Sequence, residues 1–329
     1  MDKGLATLIS DFQKSVLDAV VFMQRSGINM PSSVAEWIES DFYYNRNLDD
    51  GITFFKHGAG CTVGLISGEV DFDFGKDGAI GGFDSWRLIR FAGNEIAKYG
   101  FNSTESLMIS FKAALNEGAL VHSEPCLFYL VNAPRVYAAD IDYRFPGDML
   151  PINNKDIILT LSTHHFTIAN LMFKSYQKMN DKFDSKGYVS INDEVNFRSY
   201  ASSWLGFLAV VCEGFKKSNV RVLLEKHRPD NFKRLIPIAD ELGKAMKKNY
   251  DALRMLRNNI FHLRENLKAV RDFFLFEDER VLWALDLHKS FEHFFSKYRV
   301  FCEVHYILNK RKAESELGRR KKRNVKKPR

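Results

Sequence analysis

Hydrophobic residues in this 329-residue chain recur with one period before residue 132 and another after residue 154, and that change limits the folds open to it. Between Asn132 and Asn154 lie Pro134, Pro146, Gly147 and Pro151, which interrupt helix and strand alike. Before them, Gly51 to Gly75 reads GITFFKHGAGCTVGLISGEVDFDFG, a glycine-broken run of β-branched and aromatic residues that predicts two or three short antiparallel strands. After them come four long stripes with the three-to-four-residue spacing of helices that bury one face. Length independently favours two cores. The expected architecture is an α+β domain over residues 1–132, a linker over 133–154, an all-α antiparallel helical bundle over 155–309 and a disordered basic tail over 310–329.

In the first half, Leu5, Leu8, Ile9, Phe12, Val16, Ala19, Val20 and Met23 predict an amphipathic helix over residues 4–25, stopped by Ser26-Gly27. A short helix follows Pro31, with Ser32 or Ser33 as cap and Val34, Trp37, Ile38 and Phe42 on one face. Strict alternation in Val70-Asp71-Phe72-Asp73-Phe74 turns the apolar residues to a core and both aspartates away, as a solvent-facing acidic edge. A helix capped by Asp84 or Ser85 is expected to about Lys98. Asn102-Ser103-Thr104-Glu105 starts another, ending near Gly118, and Leu127 to Val131 reads as a strand. His57 and Cys61 have the residue types of a thiol nucleophile and its base, but four positions apart across two glycines they read as a tight turn with Cys61 packed inward.

In the second half the first stripe is Ile158, Leu161, His165, Ile168, Met172, Tyr176 and Met179, and the second runs from Phe197 to Phe215. The third spans about Phe232 to His262 with a bend expected near Pro237, and the fourth runs from Glu279 to about Asn309. His165, His288 and His305 sit on these stripes and read as hydrogen-bonded core or interface residues.

The stretch richest in chemistry is Leu256-Arg257-Asn258-Asn259-Ile260-Phe261-His262. Arg221 with His227 and Arg299 with His305 have similar spacing, but only Arg257 is followed by a polar residue. On a helical wheel Met246, Leu253, Leu256, Ile260 and Leu263 form the buried stripe. Asn258 and His262 lie opposite it with Arg254, and Arg257 sits on the flank. On a straight helix Arg257 and His262 differ by about 140°, so they reach one phosphate only through arginine flexibility, a helix break or pairing with a second protomer. Phe261 falls off the stripe beside Arg254 and Arg257, as a subunit contact or a base-stacking surface.

This stretch resembles the Arg-polar-x3-His signature of HEPN domains, which are small helical bundles. The resemblance implies a metal-independent endoribonuclease acting as a homodimer on RNA, in a bacterial defence or stress system. Arg257 would hold the scissile phosphate, Asn258 would orient neighbouring groups and His262 would serve in acid/base attack by the 2′-hydroxyl, with Arg254 and Phe261 contacting substrate. Other HEPN domains are non-catalytic, so a binding or immunity-type protein using the bundle to dimerise is the alternative, and a nucleotide-binding sensor a third. Nucleotidyltransferases often partner HEPN domains, but here Gly60 precedes Cys61 where their signature has serine, and glycines interrupt the helix it needs. HGAGC, VDFDFG and GFDSWRL together resemble an uncharacterised bacterial α+β domain family, which implies no mechanism.

Formal charge is +7, yet the residues from Lys310 onward carry +9, leaving a body near −2. The tail can neutralise phosphates or simply solubilise the chain. Cys61, Cys126, Cys212 and Cys302 are scattered without a metal-ligand spacing, so neither a metal nor a cofactor is expected. No stretch approaches about 18 uninterrupted apolar residues. A cytoplasmic protein without membrane contact is the expectation.

Overall fold

The computed structural model describes residues 1–40, 45–48, 52–123, 126–188, 190–262, 267–275 and 279–317. The chain divides into two compact units: Met1–Phe145 together with the chain from Tyr306 onward, and Pro146–His305. Small sheets lie in the first half, and the second half is helical.

The first unit is built on α1 (Lys3–Arg25), whose eight predicted apolar residues are all fully buried and whose N-terminus is capped by Asp2 accepting from the Leu5 amide. After α2 (Val34–Glu39), capped by Ser33, come β1 (Asn45–Asn47), β2 (Thr53–His57), β3 (Gly60–Leu65) and β4 (Gly68–Asp73). They form one antiparallel sheet in sequence order. One face presents Phe54, Cys61, Val63, Val70 and Phe72 to the core around α1. Trp37 of α2 is buried as expected, whereas Ile38 is exposed, and Phe42 lies outside the described residues.

Next come β5 (Ala79–Ile80), α3 (Ser85–Ala92) with Asp84 as cap, and α4 (Thr104–Asn116) with a Ser103 capping box. The helix expected to reach Lys98 ends at Ala92, where Gly93 turns it into a 3-10 segment. β6 (Leu120–Ser123) pairs with β7 (Leu127–Leu130), and β8 (Val136–Tyr137) with β5. Alternation is too short in β5, β6 and β8 to have marked them in the sequence. Arg311, assigned with the tail from sequence, is fully buried, pairs bidentately with Glu314 at 2.5 and 2.7 Å, and lies in this unit with Lys312 donating to the Arg25 carbonyl. The rest of the tail expected to be disordered, beyond Leu317, lies outside the described residues.

The second unit contains α5 (Ile157–Thr160), α6 (Thr167–Lys186), α7 (Ile191–Lys217), α8 (Val220–Lys226), α9 (Ile236–Lys247), α10 (Tyr250–Phe261), α11 (Leu267–Phe273) and α12 (Arg280–Leu308), the last turn of which passes into the first unit. A π turn over Leu161–Phe166 joins α5 to α6 and corrects the first stripe. Its wide turn advances the phase by about one residue. Phe166, Ala169 and Phe173 are therefore buried where His165, Ile168 and Met172 were expected. Pro237 sits in the first turn of α9, where a missing N–H costs nothing, so the third stripe breaks at Lys248–Asn249 rather than at the proline. Its core residues Met246, Leu253 and Leu256 are buried, and Leu263 lies outside the described residues.

Several buried polar groups in this unit are paired, as low dielectric favours, although Asn249 Nδ2 and Asn259 Oδ1 are buried without a partner among the described residues. Asp156 caps α5, lies 3.2 Å from Arg228 Nη2 and accepts from the Tyr298 hydroxyl at 2.6 Å, while Arg228 Nε donates to the same hydroxyl. His288 Nδ1 accepts from Trp204 Nε1 at 3.2 Å. His305 Nε2 lies 2.9 Å from Asp148 Oδ1.

Candidate functional site

α10 presents the signature residues, and its buried Leu253 and Leu256 hold it along α7. Arg257 lies on the flank as the wheel predicts, with its side chain one-fifth exposed. Its Nη1 meets Glu213 Oε2 of α7 at 2.5 Å, and its Nε and Nη2 donate to the Asn258 side-chain oxygen at 3.1 and 2.6 Å. The guanidinium is thus fixed on two edges, by an anion across the helix pair and by a neutral amide next to it. Glu213 lies 44 residues away in sequence, and no local pattern marked it.

His262 is not on the helix. α10 ends at Phe261, and His262 takes extended dihedrals of φ −121° and ψ 137°, with its amide donating to the Asn258 carbonyl at 3.3 Å. Its exposed imidazole is therefore released from the fixed angular offset of a straight helix. Arg254 is more than half exposed and lies 3.9 Å from Asp251. Phe261 is 42% exposed, with its ring 5.3 Å from that of Phe207. It rests on Gly206, where a Cβ would stand 2.6 Å from the ring. A glycine at that point of α7 lets the aromatic lie against the backbone.

Tyr250 opens α10 under Lys216, whose Nζ is 4.8 Å from the ring centroid. Burial pushes its phenol up and the Glu213 charge adds to this, opposed by Arg254 and Arg257. The arrangement offers a cation, an amide and an exposed imidazole on one helix end, the residue types for binding a phosphodiester and moving a proton.

A second polar centre, in the first unit, gathers residues from the HGAGC, VDFDFG and GFDSWRL segments. Register places Thr62 opposite Asp71, and His57 opposite Gly60 and then Asp73, all on the face of the sheet turned away from α1. Alternation put the aspartates on this face correctly, but Asp71 is buried rather than solvent-facing. The cause is α3. Arg87 reaches Asp73 at 2.7 Å, Asp71 at 3.4 Å and its own cap Asp84, while Arg90 bridges Asp71 at 3.0 Å and Glu69 at 2.5 Å. His57 Nε2 lies 3.1 Å from Asp71 Oδ2 and Nδ1 lies 4.0 Å from Asp73 Oδ1.

Burial acts upward on Asp71, but hydrogen bonds from His57 and Thr62 outweigh it and hold the carboxyl below its usual range. For Asp73 burial prevails over Arg87 and His57, and its pKa is raised. Cys61 points to the other face, where its thiol contacts Met23 Sδ at 3.8 Å. Burial pushes that thiol well up, and the charges of Asp71 and Asp73 push further. His57 and Cys61 are thus on opposite sides of the sheet, as the inward-packing reading required. The charges here are taken up by neighbours, so the cluster straps α3 to the sheet, with Arg90, Glu69 and the exposed Trp86 at its rim. Among the described residues no group of three or more His, Cys, Asp or Glu could hold a metal ion. No helix among them is long and apolar enough to cross a membrane.

No curated protein and no solved structure matches the chain. Residues 5–130 match the model of a domain of unknown function, DUF6896, a span that includes the whole ionic cluster around Arg87.

Proposed function

We propose that the second unit is a HEPN-like antiparallel bundle that cleaves RNA without a metal ion. The observation that carries this reading is the end of α10 at Phe261. It frees an exposed His262 from the helix while Arg257, one turn earlier, stays anchored. A phosphate is a stronger acceptor than an amide, so a phosphodiester displaces the Asn258 oxygen from the Nε/Nη2 edge and binds there bidentately. Glu213 keeps its hold on Nη1 and sets the direction of the side chain. His262 takes the proton of the 2′-hydroxyl, O2′ attacks phosphorus, and the P–O5′ bond breaks. The products are a 2′,3′-cyclic phosphate and a 5′-hydroxyl, whose proton returns from an imidazolium. Imidazole is the side chain whose charge changes between about pH 5 and 8, which suits it to both transfers. Two copies meeting at the Phe207 and Phe261 surface would bring a second His262 to the same phosphate and supply that acid, which makes the homodimer the working form.

The test is cleavage of a labelled single-stranded RNA in EDTA. Cyclic phosphate ends are expected, with resistance from substrates blocked at the 2′ position. His262→Ala and Arg257→Ala should each slow cleavage by ~10²-fold or more. His305→Ala, at a residue held by Asp148, serves as control. Activity that needs a metal, or that survives both α10 substitutions, refutes the assignment.

A further inference from the structure

The C-terminal end of α7, with α8, α9 and the start of α10, lines an open cavity of about 810 Å³ within the second unit, large enough for a small-molecule ligand. Its charge is unbalanced. Arg221 is paired with Asp240, and the second lining carboxylate, Asp251, is exposed and lies 3.9 Å from Arg254, which does not line the cavity. Lys216, Lys244 and Lys247 also line it, and among the described residues none of the three pairs with a carboxylate. Two of them, Lys244 and Lys247, project from α9 three residues apart and so from one face of that helix.

The residue between those facts is Gly243, which also lines the cavity. It lies well inside α9, where glycine costs stability relative to alanine. Two common reasons for a glycine are absent. Its backbone does not take a positive φ, and a Cβ built there would meet no atom within 4 Å. The space that a side chain would enter is the cavity itself. The helix thus gives up stability at a position where a side chain would extend into a pocket bordered by unpaired lysines.

We infer that this cavity binds a small ligand carrying several linked phosphates. Unpaired cations on two facing elements, Lys216 of α7 and Lys244 and Lys247 of α9, suit a chain of negative charges, which each phosphate supplies at neutral pH. The Tyr250 ring at the rim, under Lys216, adds an aromatic surface for a base if the phosphates belong to a nucleotide. The inference does not depend on RNA cleavage, because its readout is binding.

Isothermal titration of the full chain, metal-free and at physiological ionic strength, with sodium tripolyphosphate and separately with ATP, tests it. Saturable binding of at least one probe is expected. Tighter binding of ATP assigns a role to the aromatic rim, and equal binding assigns recognition to the phosphate chain alone. Lys244→Gln with Lys247→Gln should weaken binding at least tenfold. Gly243→Ala should weaken it severalfold while raising the Tm of the ligand-free protein by about 2–4 °C, a combination that damage to the fold cannot produce. If neither probe binds, or if both bind these variants as tightly as the unaltered chain, the cavity is not the site and the basic C-terminal residues account for any polyanion affinity.

Discussion

Lowering the pH should destabilise the helical unit through one buried imidazole. His288 is fully buried, its ring 4.4 Å from Phe173 and 4.8 Å from Phe166. Trp204 Nε1 can only donate, so His288 Nδ1 must accept and the proton sits on Nε2, which faces Asn170 Oδ1 at 3.4 Å. A second proton would break the tryptophan bond. Burial first, and the charge of Lys174 second, push the imidazole down from 6.5 to about 4. The folded value lies below the unfolded one, so stability is full above the unfolded value, is lost as pH falls through the window between them, and stops falling below about 4. The full loss is about 3 kcal/mol. Between pH 7.5 and 5.0 it is about 2 kcal/mol, since only the unfolded chain takes up the proton there. Urea denaturation followed at 222 nm at those two pH values should show this excess loss relative to His288→Gln, whose amide can still accept from Trp204. Equal declines in both proteins, or an imidazole titrating near 6.5 by NMR, would refute the reasoning.

Removing Asp156 leaves Arg228 buried without its carboxylate, and Asp156→Ala should cost about 3–5 kcal/mol, measured by urea denaturation. Replacing both residues with apolar ones, Asp156→Leu with Arg228→Met, should recover part of that loss. In the first unit, Gly60→Ala places a Cβ 1.9 Å from the Phe72 carbonyl and 2.7 Å from Asp73 Cα. The two strands must separate, and a loss of at least ~1–3 kcal/mol is expected, with amide protection in β3 and β4 falling before that of α1.

How far each feature could be read in advance followed how local its cause is. The eight core residues of α1 come straight from a 3.6-residue period, and local sequence narrowed two caps to adjacent pairs, Ser32 or Ser33 and Asp84 or Ser85, of which Ser33 and Asp84 bond the amides three positions on. Alternation likewise placed Val70, Phe72 and Phe74 in the core. It could say which way Asp71 points but not what lies there, because Arg87 and Arg90 arrive from a helix that begins 14 residues later. The first helical stripe was misphased for a related reason. A wide turn at Leu161–Phe166 depends on packing that periodicity assumes away.

The sequence by itself determined the helix and strand character of the two halves, the apolar faces of α1, β4 and α10, and the residue types near Arg257, since all of these follow from spacing along one segment. Only the tertiary structure decided that Glu213 grips Arg257, that α10 stops before His262, that Phe261 lies on Gly206, and that Gly243 borders a cavity. Each of these joins elements distant in sequence or depends on where a helix ends. Such contacts are selected by burial and packing over the whole unit, a free energy that no local window of residues contains.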